Sequence, residues 1–300
     1  MNGGQTTAAI HGVRKTAAVQ LPEIFVQMKL NIVPPELSET VVPRISQYAN
    51  SQNKVNTADF FANHPFHVRM EGFSRKLLAP AGMHGYRETK WFYERARGQY
   101  ADGKSKLTEA GKKKWDAEFP RTQFFTKTDL AKYENSFQCK PETVSLGAQK
   151  NFQKFAEQIG SRWDKSGFAY DETWFRRLVA KAIIFRKIEK AVSAADWYEG
   201  GYRANIITYG IAKLVHDVTA RERVIDFDRL WKMQELPSDL ERSFLVACAE
   251  AQSVILSPQA VRNIGEWAKK QACWKILSDR QLEYDEDLGD WLVSQEEANA

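Results

Sequence analysis

Three short polar stretches of this chain carry side chains able to do chemistry. The first is Asn2-Gly3-Gly4-Gln5-Thr6-Thr7. Where a strand passes into a helix, such a turn lets backbone N–H groups and short side chains face a ligand or a neighbouring loop. A turn that only caps the following helix has the same composition. The second is Asn50-Ser51-Gln52-Asn53, whose amides suit hydrogen bonding to backbone or to base edges. A plain helix-ending loop reads identically. The third is Trp91-Phe92-Tyr93-Glu94-Arg95-Ala96-Arg97-Gly98. Here Tyr93, Arg95 and Arg97 could stack on bases and contact phosphate. The alternative is a strand with buried aromatics, in which Glu94 pairs with Arg95 or Arg97.

No complete active site accompanies these stretches. A nuclease of the restriction type needs an acid, then a second acid two residues before a lysine, on a strand; no convincing pattern of that kind is present. His64 and His67 lack a carboxylate or thiol at ligand spacing, so capping or packing is expected of them and no metal site is implied. The phosphate loop GxxxxGK[ST] and the GxSxG elbow are both missing from the sequence. Neither catalysis nor a cofactor is specified.

Composition narrows the class. Nine Trp and seventeen Phe among 300 residues can fill a sizeable core. No apolar run approaches the roughly 20 residues of a membrane span, so no membrane partner is expected. Cys139, Cys248 and Cys273 are odd in number and widely spaced, which suits a reducing cytoplasm rather than a disulfide framework. The net charge of +5 is unevenly spread. Arg69 to Lys132 holds fifteen Lys/Arg against eight Asp/Glu, and Ser278 to Ala300 holds one Arg against eight acids. A basic middle that includes Lys112, Lys113 and Lys114 could bind nucleic acid, or could pair with the acidic tail from Asp285 to Asp290. About six phosphate contacts there would weaken binding by roughly 10³-fold between 50 and 200 mM salt.

These residues must be positioned by local elements. A short helix is expected from Gln5 to Lys15, then a strand from Glu23 to Val33 ended by Pro34 and Pro35. A helix from Ser38 to Tyr48 and the amide loop follow. A further helix, capped by Thr57 or Asp59, is expected to run to about Leu78 despite Pro65. Residues 79–140 read as irregular, with a strand-like arm around Tyr93 and a short helix in Leu107–Pro120. Beyond Ser145, apolar spacing of three and four predicts helices over 148–159, 171–195, 203–219, 226–234, 238–255 and 258–270. The fold class is α+β and predominantly helical. The expected division is an α/β remnant over 1–80, a basic connecting region over 81–144 and an all-helical domain over 145–300.

Taken in order, NGGQTT, a VQMKL strand, NSQN, YERARG, "EFPRTQFFTKTDLAKYENSF" and "VSLGAQKNFQKF" resemble the bacterial abortive-infection phage-resistance (AIPR) family. In that family the NGGQTT turn follows a substantial N-terminal region that ends in an apolar strand. Here it begins at the second residue, so the resemblance implies the C-terminal part of a longer protein, with any catalytic domain on the missing side. A looser likeness joins the Gly-Gln turn and the Asn/Gln loop to ParB-type and DGQHR-type domains, which bind nucleotides or DNA. Gln5, Thr6, Asn50, Gln52 and Asn53 are the matching positions, although Thr6 replaces the arginine common there. The resemblance implies a cytoplasmic anti-phage defence protein acting as a nucleic-acid or nucleotide recognition module. The alternatives are a nuclease or nucleotide hydrolase using the same cleft, and a protein-interaction scaffold. DNA, RNA, a nucleotide or a second copy of the chain are the implied partners. Gln5 and Asn53 are expected to meet across a polar cleft, and the 23–33 strand to lie at a sheet edge.

Overall fold

A computed structural model of the chain describes residues 11, 25, 32–39, 41–42, 61–82, 87–259 and 261–299. Contacts divide the chain into two units, Met1–Phe60 and Phe61–Ala300. In the first unit, Pro34 precedes a 3-10 turn over Pro35–Leu37, and the Ser38 hydroxyl donates to the Pro35 carbonyl at 2.7 Å. The Asn2–Thr7 turn, the Asn50–Asn53 loop and most of the strand expected at 23–33 lie outside the described residues, as does the ParB-like reading built on them.

The second unit is predominantly helical, with two small two-stranded sheets among its described residues. Its first helix, α1 (Pro65–Lys76), starts later than the apolar spacing suggests, after a separate 3-10 turn over Phe61–Asn63. Proline lacks the N–H that a first-turn position leaves unused, and its fixed φ suits that position. His64 caps the helix by accepting the Phe66 N–H. The buried face carries Phe66, His67, Met70 and Ser74, and α1, assigned from sequence to the 1–80 segment, packs on strand β1 of this unit.

Strand β1 (Phe92–Glu94) pairs in parallel with β2 (Phe124–Thr126), Tyr93 lying opposite Phe125. The crossover between them is a helical hairpin of α2 (Gln99–Ser105) and α3 (Glu109–Glu118). Phe92, Tyr100 and Phe119 form its buried cluster, with Trp115 and Phe124 packed against it. The irregular reading of 79–140 is corrected at α4 (Lys127–Phe137), which a capping box opens: the Thr126 hydroxyl accepts the Asp129 N–H, and the Asp129 carboxylate accepts the Thr126 N–H.

A one-turn helix α5 (Pro141–Val144) leads to the long helices α6 (Ala148–Ser166), α7 (Glu172–Ala194), α8 (Arg203–Thr219) and α10 (Ser238–Ile255), with α9 (Phe227–Met233) before the last of these. Helices α7 and α9 open at side-chain caps from Asp171 and Asp226. Helices α8 and α10 cross where Gly210 meets Cys248. A Cβ on Gly210 would lie 2.3 Å from the Cys248 sulfur and 2.7 Å from its Cα.

Two expectations for this half are corrected. Of 258–270, only α11 (Ile264–Trp267) is helical among the described residues, because Asn263 caps a new start there. The region is also not all-helical. After α12 (Gln271–Ser278), β4 (Leu292–Ser294) pairs antiparallel with β3 (Arg223–Ile225), and α13 (Gln295–Asn299) follows. Three-residue strands are too short to impose a legible alternation.

Candidate nucleic-acid interface

The YERARG stretch turns out to be mostly framework. Ser74 of α1 fastens β1 in place of a third strand: its hydroxyl donates to the Trp91 carbonyl and accepts the Tyr93 N–H, both at 2.7 Å. Arg75 donates to the Tyr93 carbonyl and lies over the Phe92 ring. Tyr93 is fully buried, its ring beside His67 and its hydroxyl 2.6 Å from His67 Nδ1. The expectation that Tyr93 offers a stacking face is therefore corrected; the core takes both faces of the ring.

Arg95 is also committed. Its guanidinium donates to the Glu71 carboxylate at 2.8 Å, the Ala62 carbonyl at 2.9 Å and Asn63 Oδ1 at 2.8 Å. Glu71 in turn accepts from Gln99 Nε2, and Gln99 Oε1 accepts the N–H groups of Arg95 and Ala96. Glu94 does not pair with either arginine as expected; its carboxylate accepts the Tyr100 N–H in the first turn of α2. Gly98 ends the turn at φ 93°, a conformation that strains residues with a side chain. Of this stretch, Arg97 is left exposed and without an ion-pair partner among the described residues.

His64 and His67 take the capping and packing roles expected of them. His67 is buried against Phe152 and Tyr93. Burial, aided by the charges of His64, Lys127 and Arg95, pulls its imidazole down to about 3 from 6.5. Between these values the unfolded chain binds a proton here and the folded chain does not. The contribution is thus complete above pH 6.5 and is lost as pH falls toward 3, at about 1.4 kcal/mol per unit. Urea denaturation should show about 2 kcal/mol lost from this group between pH 7 and pH 5. The same comparison on His67→Gln should lack that component; an unchanged pH slope would exclude His67 as its source.

The lysine-rich hairpin has a rigid base. Thr108 caps α3, and the Trp115 ring packs so closely on Gly103 that a Cβ there would fall within 2.6 Å of it. Lys104 bridges α2 to Asp116 of α3 at 2.6 Å, Lys112 pairs with Glu109 at 2.7 Å, and Lys90 pairs with Glu118 at 2.8 Å. Arg121 lies over the Phe124 ring. Lys106, Lys113 and Lys114 are exposed and have no ion-pair partner among the described residues. The acidic tail does not neutralise this arm: Asp285 and Asp287 pair with Arg242 of α10. The structure thus separates four free cations from the anchored ones.

Two acid-x-lysine triplets, Glu88-Thr89-Lys90 and Asp102-Gly103-Lys104, do fall near this sheet, but both lysines are held by other carboxylates. Among the described residues no three His, Cys, Asp or Glu side chains gather as a metal site. Sequence reading missed Glu71, Ser74 and Gln99, whose roles depend on residues far along the chain. Gln99, directly after the Gly98 turn, was the one with a local signal.

A family model, that of the AIPR protein, matches residues 1–259. The chain belongs to the AIPR family. Comparison with curated proteins and with solved structures found no match. The match spans every stretch on which the resemblance rests, and it places this AIPR chain in abortive-infection phage resistance. Within the described residues, no helix of this AIPR chain is long and apolar enough to cross a membrane.

Proposed function

We propose that this AIPR chain serves phage defence as a nucleic-acid recognition module, with the α2–α3 arm as its phosphate-contacting surface. The observation that supports it is the set of unpaired, exposed cations Arg97, Lys106, Lys113 and Lys114 on a hairpin held by an aromatic cluster and the Lys104–Asp116 bridge. A rigid arm loses little entropy when its cations meet phosphate. The amides and hydroxyls of Asn2–Thr7, Asn50, Gln52 and Asn53 complete the proposal as the base- or nucleotide-reading cluster, for which Gly3 and Gly4 allow close backbone approach.

The free cations number fewer than the sequence suggests, so the expected salt dependence is shallower. Four contacts on duplex DNA give a slope of about −3.6 in log K against log salt, or about 100-fold between 50 and 200 mM. Lys113→Gln with Lys114→Gln should lower affinity for every sequence alike and flatten the slope by about two. Lys104→Gln, which removes the bridge to Asp116, should alter the slope by less than one, since that lysine is already neutralised. A slope unmoved by the Lys113 and Lys114 changes would transfer the chain to the protein-scaffold class.

A further inference from the structure

The family match ends at residue 259, and the segment 281–299 runs back over the matched core as a strap. It carries seven acids and no lysine or arginine. It is held by a row of arginines, by one strand edge and by the Tyr284 hydroxyl, which donates to Asp217 Oδ2 at 2.7 Å. Arg242 of α10 donates to the Asp285 carboxylate at 3.0 Å and to that of Asp287 at 3.4 Å. Arg229 of α9 donates to the Asp290 carbonyl at 2.8 Å and stacks 3.8 Å over the Trp291 ring. Arg223 of β3 donates to the Leu292 carbonyl at 2.6 Å, and the Asp226 N–H donates to the Trp291 carbonyl at 2.9 Å. Leu288 and Trp291 are the buried anchors. Beyond them β4 adds to β3 in the register Arg223↔Ser294, Val224↔Val293, Ile225↔Leu292.

We infer that β3, Arg223, Arg229 and Arg242 form a recognition groove for an extended acidic peptide with an aromatic anchor, presented by a partner protein, and that the strap is its intramolecular occupant. The contacts define the peptide's chemistry. Two arginines read main-chain carbonyls, which any strand supplies. Arg242 reads carboxylates, and the buried position beneath the Arg229 guanidinium takes one large aromatic ring. This is strand addition to an open edge, in which main-chain pairing gives affinity and the side-chain sites give selectivity. Apart from the buried anchors Leu288 and Trp291 and the Tyr284 hydrogen bond to Asp217, the strap's polar contacts to the arginines lie at the exposed surface, which is what makes it exchangeable. The Arg242 pairs are about half exposed on both sides, where ion pairs contribute little, and the pairing spans three residues. A cleft of about 420 Å³ already lies beside it, lined by Trp174, Arg177 and Phe227 and, from the strap itself, by Val293 and Glu297, so displacement would remove one of its walls.

The test uses the full chain and a fluorescein-labelled peptide of residues 283–299, followed by fluorescence anisotropy. In the unaltered chain the strap competes at high effective concentration, so the probe should bind weakly. Asp285→Lys with Asp287→Lys loosens the strap at exposed positions without touching the core, and should tighten probe binding at least tenfold. Leu288→Ala with Trp291→Ala is the second opening variant and should do the same. Adding Arg229→Glu and Arg242→Glu to the Leu288 and Trp291 variant should abolish the gain, because the probe's Asp285 and Asp287 then face a like charge. Val224→Cys with Val293→Cys, directly opposed in register, should suppress binding when oxidised and restore it when reduced. Hydrogen exchange at 223–225 should speed up in the opened chains and slow again with probe. No gain in either opened variant overturns the proposal, as does tight binding that survives the Arg229 and Arg242 reversals.

Discussion

Replacing Gly210 by alanine should cost about 3 kcal/mol, the upper part of the range for overpacked cores. Helices α8 and α10 approach so closely there that the added methyl meets the Cys248 sulfur at 2.3 Å and the Cys248 backbone at 2.7 and 2.9 Å. A flexible side chain could swing aside, but backbone cannot, so helices α8 and α10 have to separate. A loss of this size lowers Tm by about 6–12 °C in a domain of this length. Gly160, at a mid-helix position of α6 with nothing within 4 Å of a Cβ, is the matched control. Gly160→Ala should stabilise by up to about 1 kcal/mol through helix propensity alone. Thermal and urea denaturation of the two variants side by side measures both. If Gly210→Ala is as benign as Gly160→Ala, the crossing at Cys248 is wrong.

The Glu134–Lys181 pair should show the second large effect. The Glu134 carboxylate is almost wholly buried in α4, 2.7 Å from Lys181 Nζ on α7, with side-chain exposures of 3% and 15%. Lys181→Met leaves that carboxylate buried without its counter-charge, a change that typically costs about 3–5 kcal/mol. The double change Glu134→Leu with Lys181→Met removes both charges and should recover much of the loss. A double-mutant cycle by urea denaturation reads the coupling directly. A single-variant loss below about 1 kcal/mol would show that the pair is solvated in practice.

Arg95 and Lys113 show how unevenly the candidate interface was legible. Both were basic residues in a basic stretch, with nothing in their own neighbourhoods to tell them apart. Arg95 is drawn inward by Glu71, Ala62 and Asn63, from segments 24 to 33 positions away, whereas Lys113 sits on the open face of α3. Tyr93 is the same case in an aromatic residue: an amphipathic ring suits a base or a core equally well, and its partner His67 comes from helix α1, not from its own strand. The lysines whose partners lay within one hairpin, Lys104 and Lys112, were closer to readable, but the acidic tail offered a competing assignment that only its contact with Arg242 removed.

What the sequence determined by itself was whatever depends on a short window. The α8 span 203–219 and the α10 span 238–255 follow from apolar spacing and flanking breakers and coincide with the helices observed. The capping role of His64 and the family membership were equally local, the latter because an ordered set of short motifs survives independently of how they pack. The tertiary structure decided the rest. It paired β1 with β2 and β3 with β4, chose which cations of the basic middle stay free, and folded the acidic segment onto Arg229 and Arg242. Three-residue strands and single ion pairs carry too little free energy to act alone. They form because a packed helical core has already brought their distant partners together, and no window of sequence contains both halves of such a contact.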